Sequence, residues 1–149
     1  MGSEMCIRDS FQTCGSTFKV VRTWTIVDWC DDAIERSLNQ NIEVLDTEPP
    51  SIIRRSNGTT TIVEELPEVQ VGVDPWVCTA TVRLPNLEVI DNCDANPRFV
   101  WITDHGTIED GFALGLPLEF SPVSLEIFVE DDCGNSISRA LPVLSLIHI

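Results

Sequence analysis

Two stretches of this chain read alike at a fixed distance. Cys30 and Cys133 stand 103 residues apart, and at that offset Asp28 falls on Asp131, Ile34 on Ile137, Arg36 on Arg139 and Leu38 on Leu141. Val20 and Ile26 fall on Val123 and Val129 in the same way. Each copy reads as a strand, an Asp-x-Cys turn and a second strand. Self-similarity at one period marks a repeat architecture, in which each copy builds the same supersecondary unit. The repeat therefore divides the chain. Residues 11–46 read as the C-terminal part of one module and residues 47–143 as the next, with "DTEPP" at the junction.

The remaining pattern says what such a module is made of. "TFKVVRTWTIVD" is rich in β-branched and aromatic residues, and Phe18, Val20, Trp24 and Ile26 share one face at period two, with Arg22 the polar exception. "NIEVLD" is a shorter strand, stopped by Pro49 and Pro50, which supply no ladder donors. "PSIIRRSNGTTTIVEEL" reads as two strands about Asn57-Gly58, the strongest hairpin dipeptide present. "CTATVRL", "LEVID", "RFVWIT", "LEF", "SLEIFVED" and "SISRALPV" are further strands, with turns at Asp104-His105-Gly106 and Glu109-Asp110-Gly111. "DDAIERSLNQ" is the one helix candidate, and a turn followed by a strand is preferred. Short strands with frequent turns, in a module of about 100 residues, predict an all-β fold: an immunoglobulin-like antiparallel β-sandwich, preceded by the C-terminal strands of a neighbouring module.

The two ends are set apart from this pattern. Residues 4–10 back-translate as GAG ATG TGT ATA AGA GAC AG, and the in-frame reverse complement, CTG TCT CTT ATA CAC ATC, encodes "LSLIHI" at residues 144–149. Nothing in protein physics makes two chain ends encode complementary strands. The pair resembles a translated transposon adapter, so residues 1–10 and 144–149 are read as artefact and the rest as an internal piece of a longer protein. Without Arg8, Glu4 and Asp9 the chain keeps 8 basic and 22 acidic side chains, a net charge of −14 against −15 for the whole sequence. A surface so acidic is a poor ligand for phosphate backbones and is repelled by anionic bilayers, so no nucleic acid partner is expected. No apolar run approaches the ~18 residues of a membrane span.

Five cysteines lie outside the artefact: Cys14, Cys30, Cys78, Cys93 and Cys133. They form no CxxC pair and no Cys/His cluster, which argues against zinc and for disulfides in an oxidising compartment.

The motifs "RTWTIVDWC", "VLDTEPP", "CTATVRLPNLEVIDNCD" and "VEDDCGNSISRALPV" together resemble the hyalin-repeat and related immunoglobulin-like modules. Such modules are strung in tandem in large secreted or surface proteins, notably of Bacteroidota-type bacteria. The resemblance covers almost all of residues 11–143, and its strongest part is "DNCD" followed about forty residues later by "DDCGN". It implies an extracellular, non-catalytic module that acts as a structural spacer or adhesive element, with neighbouring modules of the same chain as partners. Relatives often carry another Cys soon after "CGN", and this chain has none there. Cys93 and Cys133 each close a strand with an acidic turn, as if at one end of a sandwich, and are expected to pair. The pairing of Cys14, Cys30 and Cys78 stays open, although Cys14 and Cys30 bracket one long strand and are held apart by it.

Candidate chemistry is sparse. Acidic residues surround the cysteines, and Asp28, Asp46, Asp91 and Asp131 are candidate calcium ligands, since loops at one end of a sandwich can converge to offer oxygens. Against this, Asp favours turns for its own backbone bonds, and no EF-hand spacing is present. His105 beside Asp104 lacks a nucleophile placed by context. Glu64-Glu65 and Asp131-Asp132 are adjacent carboxylates that point to opposite faces of a strand, not a glycosidase pair. Asn57-Gly58-Thr59 fits a glycosylation sequon but reads as a hairpin turn. No enzyme is expected. Of four Trp and no Tyr, Trp24 is assigned to the core, while Trp29, Trp76 and Trp101 are candidates for exposure. An exposed pair, or an oxygen-lined pocket, would favour the alternative: a glycan- or calcium-dependent ligand-binding accessory module of a secreted adhesin or enzyme.

Overall fold

Strand-forming runs and the turns between them account for nearly the whole chain in the computed structural model, which describes every residue except 1–2, 29, 31–33, 118, 120–121 and 147–149, and the side chains of all but these and residues 3–7 and 34. Thirteen strands, β1 to β13, form among the described residues. The chain divides into two compact units, Met1–Thr47 and Glu48–Ile149.

The first unit is one antiparallel sheet in the order β1-β2-β3, built from Ser3–Gln12, Phe18–Asp28 and Ile34–Val44. The β-branched run around Trp24 forms β2, and "IERSLNQNIEV" forms a single strand, β3. No helix interrupts it. β1 lies mostly in the stretch read as adapter, yet it pairs with β2 from Ser3↔Val27 to Gln12↔Phe18. An open strand edge offers a row of N–H and C=O groups to any extended chain, whatever its side chains.

The second unit is a sandwich. One sheet runs β6-β13-β12-β9, from Val69–Val71, Ser136–Ser145, Val123–Glu130 and Arg98–Thr103. The other runs β10-β11-β7, from Thr107–Glu109, Phe112–Pro117 and Thr79–Arg83. A third, small sheet, β5-β4-β8, uses Thr59–Ile62, Ser51–Ser56 and Glu88–Ile90, with Asn57-Gly58 at the β4–β5 hairpin as expected. The pairings β9–β12–β13 and β7–β11 follow immunoglobulin-type connectivity. One pair departs from the expected antiparallel pattern: β6 lies parallel to β13, Val69 opposite Val143. A parallel partner needs a long crossover, and here the whole sandwich between β6 and β13 supplies it.

β12 alternates between buried and more exposed positions along its length. Its inward residues Val123, Leu125, Ile127 and Val129 join Leu141 and Val143 of β13, and Val82, Ala113 and Leu116 of the facing sheet, in one apolar core. Besides β1, three strands of the second unit lie outside the sequence expectation: β6, β10 and β11. The sequence "FALGLP" hides β11 behind Gly115 and Pro117. Gly115 has φ +70, and the β11–β7 register shifts between Ala113 and Leu116. A bulge absorbs the extra residue there, in a conformation that glycine adopts without strain. The strand expected at "LEF" falls largely outside the described residues.

The two segments that match at an offset of 103 residues, β2–β3 and β12–β13, are both antiparallel strand pairs. Their registers differ by two residues, since Ile26 faces Arg36 whereas Val129 faces Ile137. An even step leaves every side chain on its original face.

Candidate functional site

Three of the acidic turns share one construction. Asp28 Oδ1 accepts from the Cys30 N–H at 2.9 Å, Asp91 Oδ2 from the Cys93 N–H at 2.7 Å, and Asp131 Oδ1 from the Cys133 N–H at 2.8 Å. Each is an Asx turn, in which a short carboxylate reaches its own backbone two residues on. The turn of residues 131–135 is the most elaborate. Asp131 Oδ1 also accepts from the Asn135 N–H at 2.8 Å, and Oδ2 from Asn135 Nδ2 at 2.7 Å. Gly134, at φ +87, lets the chain reverse between them.

A further carboxylate joins two of these turns. Asp94 Oδ1 accepts from the Asn96 N–H at 2.9 Å, and its Oδ2 accepts from the Asp132 N–H at 3.0 Å. The "DNCD" and "DDCGN" turns therefore do lie side by side. They are not joined through the two cysteines expected to pair. Cys14 and Cys133 are in disulfide linkage, while Cys93, Cys30 and Cys78 are not. A sulfur makes one disulfide, so with Cys133 engaged elsewhere the expected Cys93–Cys133 bond does not form, however close their turns stand. Cys30 and Cys78 are both exposed.

Two calcium candidates meet within the second unit: carboxylate oxygens of Asp91 and Asp131 lie within 4.8 Å of each other. Asp28 and Asp46 belong to the first unit, at the end of β2 and beyond the end of β3. Asp91 and Asp131 already accept backbone N–H groups. Burial pushes the Asp131 pKa up, and hydrogen bonds from the Asn135 side chain and from the Asn135, Cys133 and Gly134 backbone more than reverse it, so its carboxyl sits below the ordinary value. Calcium wants six to eight oxygens, and these two carboxylates are shaped by N–H donors instead. The melting temperature should therefore move by less than about 1 °C between millimolar calcium and chelator; a rise of several degrees would show that a bound ion stabilises the native state.

Outside the turns, one cleft stands out. It opens in the second unit with a volume of about 460 Å³, lined by residues 83–87, by Phe99 and Trp101 of β9, and by Ile108, Asp110, Gly111 and Phe112 of the β10–β11 hairpin. Phe99 and Trp101 sit two apart on β9, so they share a face, and their rings meet edge to face at 6.3 Å and 87°. Phe99 and Phe112 are exposed and Trp101 is half-buried. The Asp110-Gly111 turn is fixed by a bond from the Leu84 N–H to Gly111 O at 2.9 Å, which ties the hairpin tip to the end of β7. No side-chain hydrogen bond or ion pair engages Arg83, Asn86 or Asp110 among the described residues. The sequence singled out Trp101 but not its companions, because residues 83–87 and the hairpin lie far from β9 along the chain.

The other named residues are scattered. Trp76 is fully exposed at a turn between Asp74 and Cys78, with φ +71. Trp24, expected in the core, is half-buried on the first unit's sheet, and Trp29 lies outside the described residues. His105 and Asp104 are exposed in the turn between β9 and β10, where the His105 N–H donates to Thr103 Oγ1. Glu64 and Glu65 lie in an exposed bend after β5, not on a strand. Asp31 and Asp32 are outside the described residues. No helix among the described residues is long and apolar enough to cross a membrane, which leaves strand-built membrane proteins aside.

Compared with protein families, curated proteins and solved structures, the chain finds no match.

Proposed function

We propose that this chain is a non-catalytic piece of a tandem array, in which immunoglobulin-like modules space and stiffen a large secreted or cell-surface protein. The observation that carries this reading is the recurrence of one strand–turn–strand element, 103 residues apart, with the same Asp carboxylate accepting from the same Cys N–H in both units. Arrays are built by repeating one module, and a surface array works where disulfides persist. The cysteines in disulfide linkage are compatible with such a compartment. The resemblance to hyalin-repeat modules is part of the same proposal.

A spacer has to bear load. The parallel β6–β13 pair joins the early and late parts of the second unit through Val69–Val71 and residues 143–145, the last two of which lie in the stretch read as adapter, so in the chain as given tension applied at its ends loads those hydrogen bonds together, in shear. Pulling single molecules by their ends, with all thiols reduced, should give one abrupt rupture that releases on the order of 250–350 Å of chain. Smooth extension with no rupture would remove the spacer reading.

The cleft favours a second reading, a ligand-binding accessory module. It rests on the aromatic lining and on polar side chains beside it that no hydrogen bond or ion pair engages among the described residues.

A further inference from the structure

We propose that the cleft between β9 and the β10–β11 hairpin binds a neutral saccharide, with Trp101 and Phe112 as stacking surfaces and Arg83, Asn86 and Asp110 as hydrogen-bonding groups. The inference deepens the ligand-binding reading and rests on it alone; the pulling experiment reports on the spacer reading separately.

The lining selects the chemistry. At about 460 Å³ the cleft is in the range of small-molecule sites. Leu84, Leu87 and Ile108 give the lining an apolar part, and three aromatic residues of the lining stand half-buried or exposed. Monomeric proteins seldom leave such rings together in contact with water unless something covers them. A purely apolar occupant would strip water from Arg83, Asn86 and Asp110 and return no hydrogen bond, which costs free energy for each group. An anionic occupant would be repelled by the net charge of −15. A neutral sugar has apolar ring faces for the aromatic residues and hydroxyls that both donate and accept. It can therefore satisfy a cation, an amide and a carboxylate at once.

The position fits as well. Trp101 and Phe99 are held by β9 in the middle of a ladder with β12, Ile127 facing Trp101 and Val129 facing Phe99. The hairpin tip is tied to the end of β7. Both walls of the cleft thus stand on regular elements, which lowers the ordering cost of binding.

The test is calorimetric titration of the whole chain with cellohexaose, xylohexaose and mannohexaose, each up to several millimolar. At least one should bind saturably, with a Kd in the micromolar to millimolar range. Trp101→Ala should weaken that binding by about tenfold or more, equivalent to about 1.4 kcal/mol. Because Trp101 also packs against the core, Arg83→Ala, at an exposed position, should weaken binding several-fold with an unchanged melting temperature, and Asp110→Ala, at φ +49 where Ala is strained, should weaken it several-fold whatever its effect on melting. Trp76→Ala, at the fully exposed turn, should leave affinity as it was. Absence of saturable binding by all three sugars overturns the proposal. So does binding that survives Trp101→Ala, Arg83→Ala and Asp110→Ala, or that falls with Trp76→Ala instead.

Discussion

Replacing Leu141 by Ala should destabilise the second unit by about 2–5 kcal/mol, the range for deleting a fully buried leucine side chain. Leu141 is 1% exposed and packs in the core with Leu125, which it faces across the β12–β13 ladder. The loss has two parts, the transfer free energy of the removed carbons and the cavity left where the facing sheet cannot follow. The same substitution at Leu38, which matches Leu141 at the 103-residue offset, should change stability by no more than about 0.5 kcal/mol, as at surface sites generally, because Leu38 is 69% exposed. Urea unfolding monitored on the two variants reads the contrast directly. Equal shifts in midpoint would mean that Leu38 is covered in solution, or that the sheet pairing of β12 and β13 is not as described. A loss of this size is a large part of the stability of a domain of about 100 residues.

The second large effect is electrostatic. Asp131→Asn should destabilise the second unit by about 1–3 kcal/mol at neutral pH, the cost of leaving buried donors poorly satisfied. Asp131 is only 5% exposed. In the variant the new amide nitrogen cannot accept from Asn135 Nδ2, which now faces another donor, and the remaining oxygen is a weaker acceptor for the Cys133 and Asn135 N–H groups. The pH dependence has a definite sign. The folded pKa of Asp131 lies below its unfolded value. Its contribution is therefore complete above the unfolded value, near pH 4, and is lost as pH falls through the folded one. Wild-type protein should lose more stability than Asp131→Asn between pH 7 and pH 3, so the two unfolding midpoints converge in acid. Other carboxylates titrate in the same window, so the difference between the two proteins is the quantity that counts. Midpoints that stay equally separated at both pH values would show that the charge of Asp131 is not what the turn uses.

These two predictions mark how far the sequence could be read. Leu38 and Leu141 occupy matching places in matching strands, and nothing local separates them. Their exposure differs because the β12–β13 face is covered by apolar residues from the β7–β11 sheet, and the density of that covering is a property of the whole fold. The alternation of β12, the Asn57-Gly58 hairpin and the Asp-x-Cys turns were legible because each depends on residues within about five positions of one another. β11 was not, because a bulge at Gly115 breaks the alternation that identifies a strand. The glutamates at 64 and 65 were assigned to a strand that ends at Ile62.

The site divides in the same way. Asp28, Asp91 and Asp131 could be picked out as special by their place before a cysteine. Their hydrogen bonds give them a turn-forming role, which the sequence held open beside calcium. The side-by-side placement of the Cys93 and Cys133 turns could be inferred from two strands ending alike. The state of the sulfurs could not, since a disulfide is decided by which two Cα atoms come within reach after folding. The cleft was wholly a tertiary matter, for its aromatic and polar lining comes from three segments of two different sheets. The sequence by itself determined what is short-range: an all-β chain and its turns. Only the tertiary structure decided which faces are covered, which sulfurs are joined and where a ligand could sit, because those depend on distances between residues that no local pattern encodes.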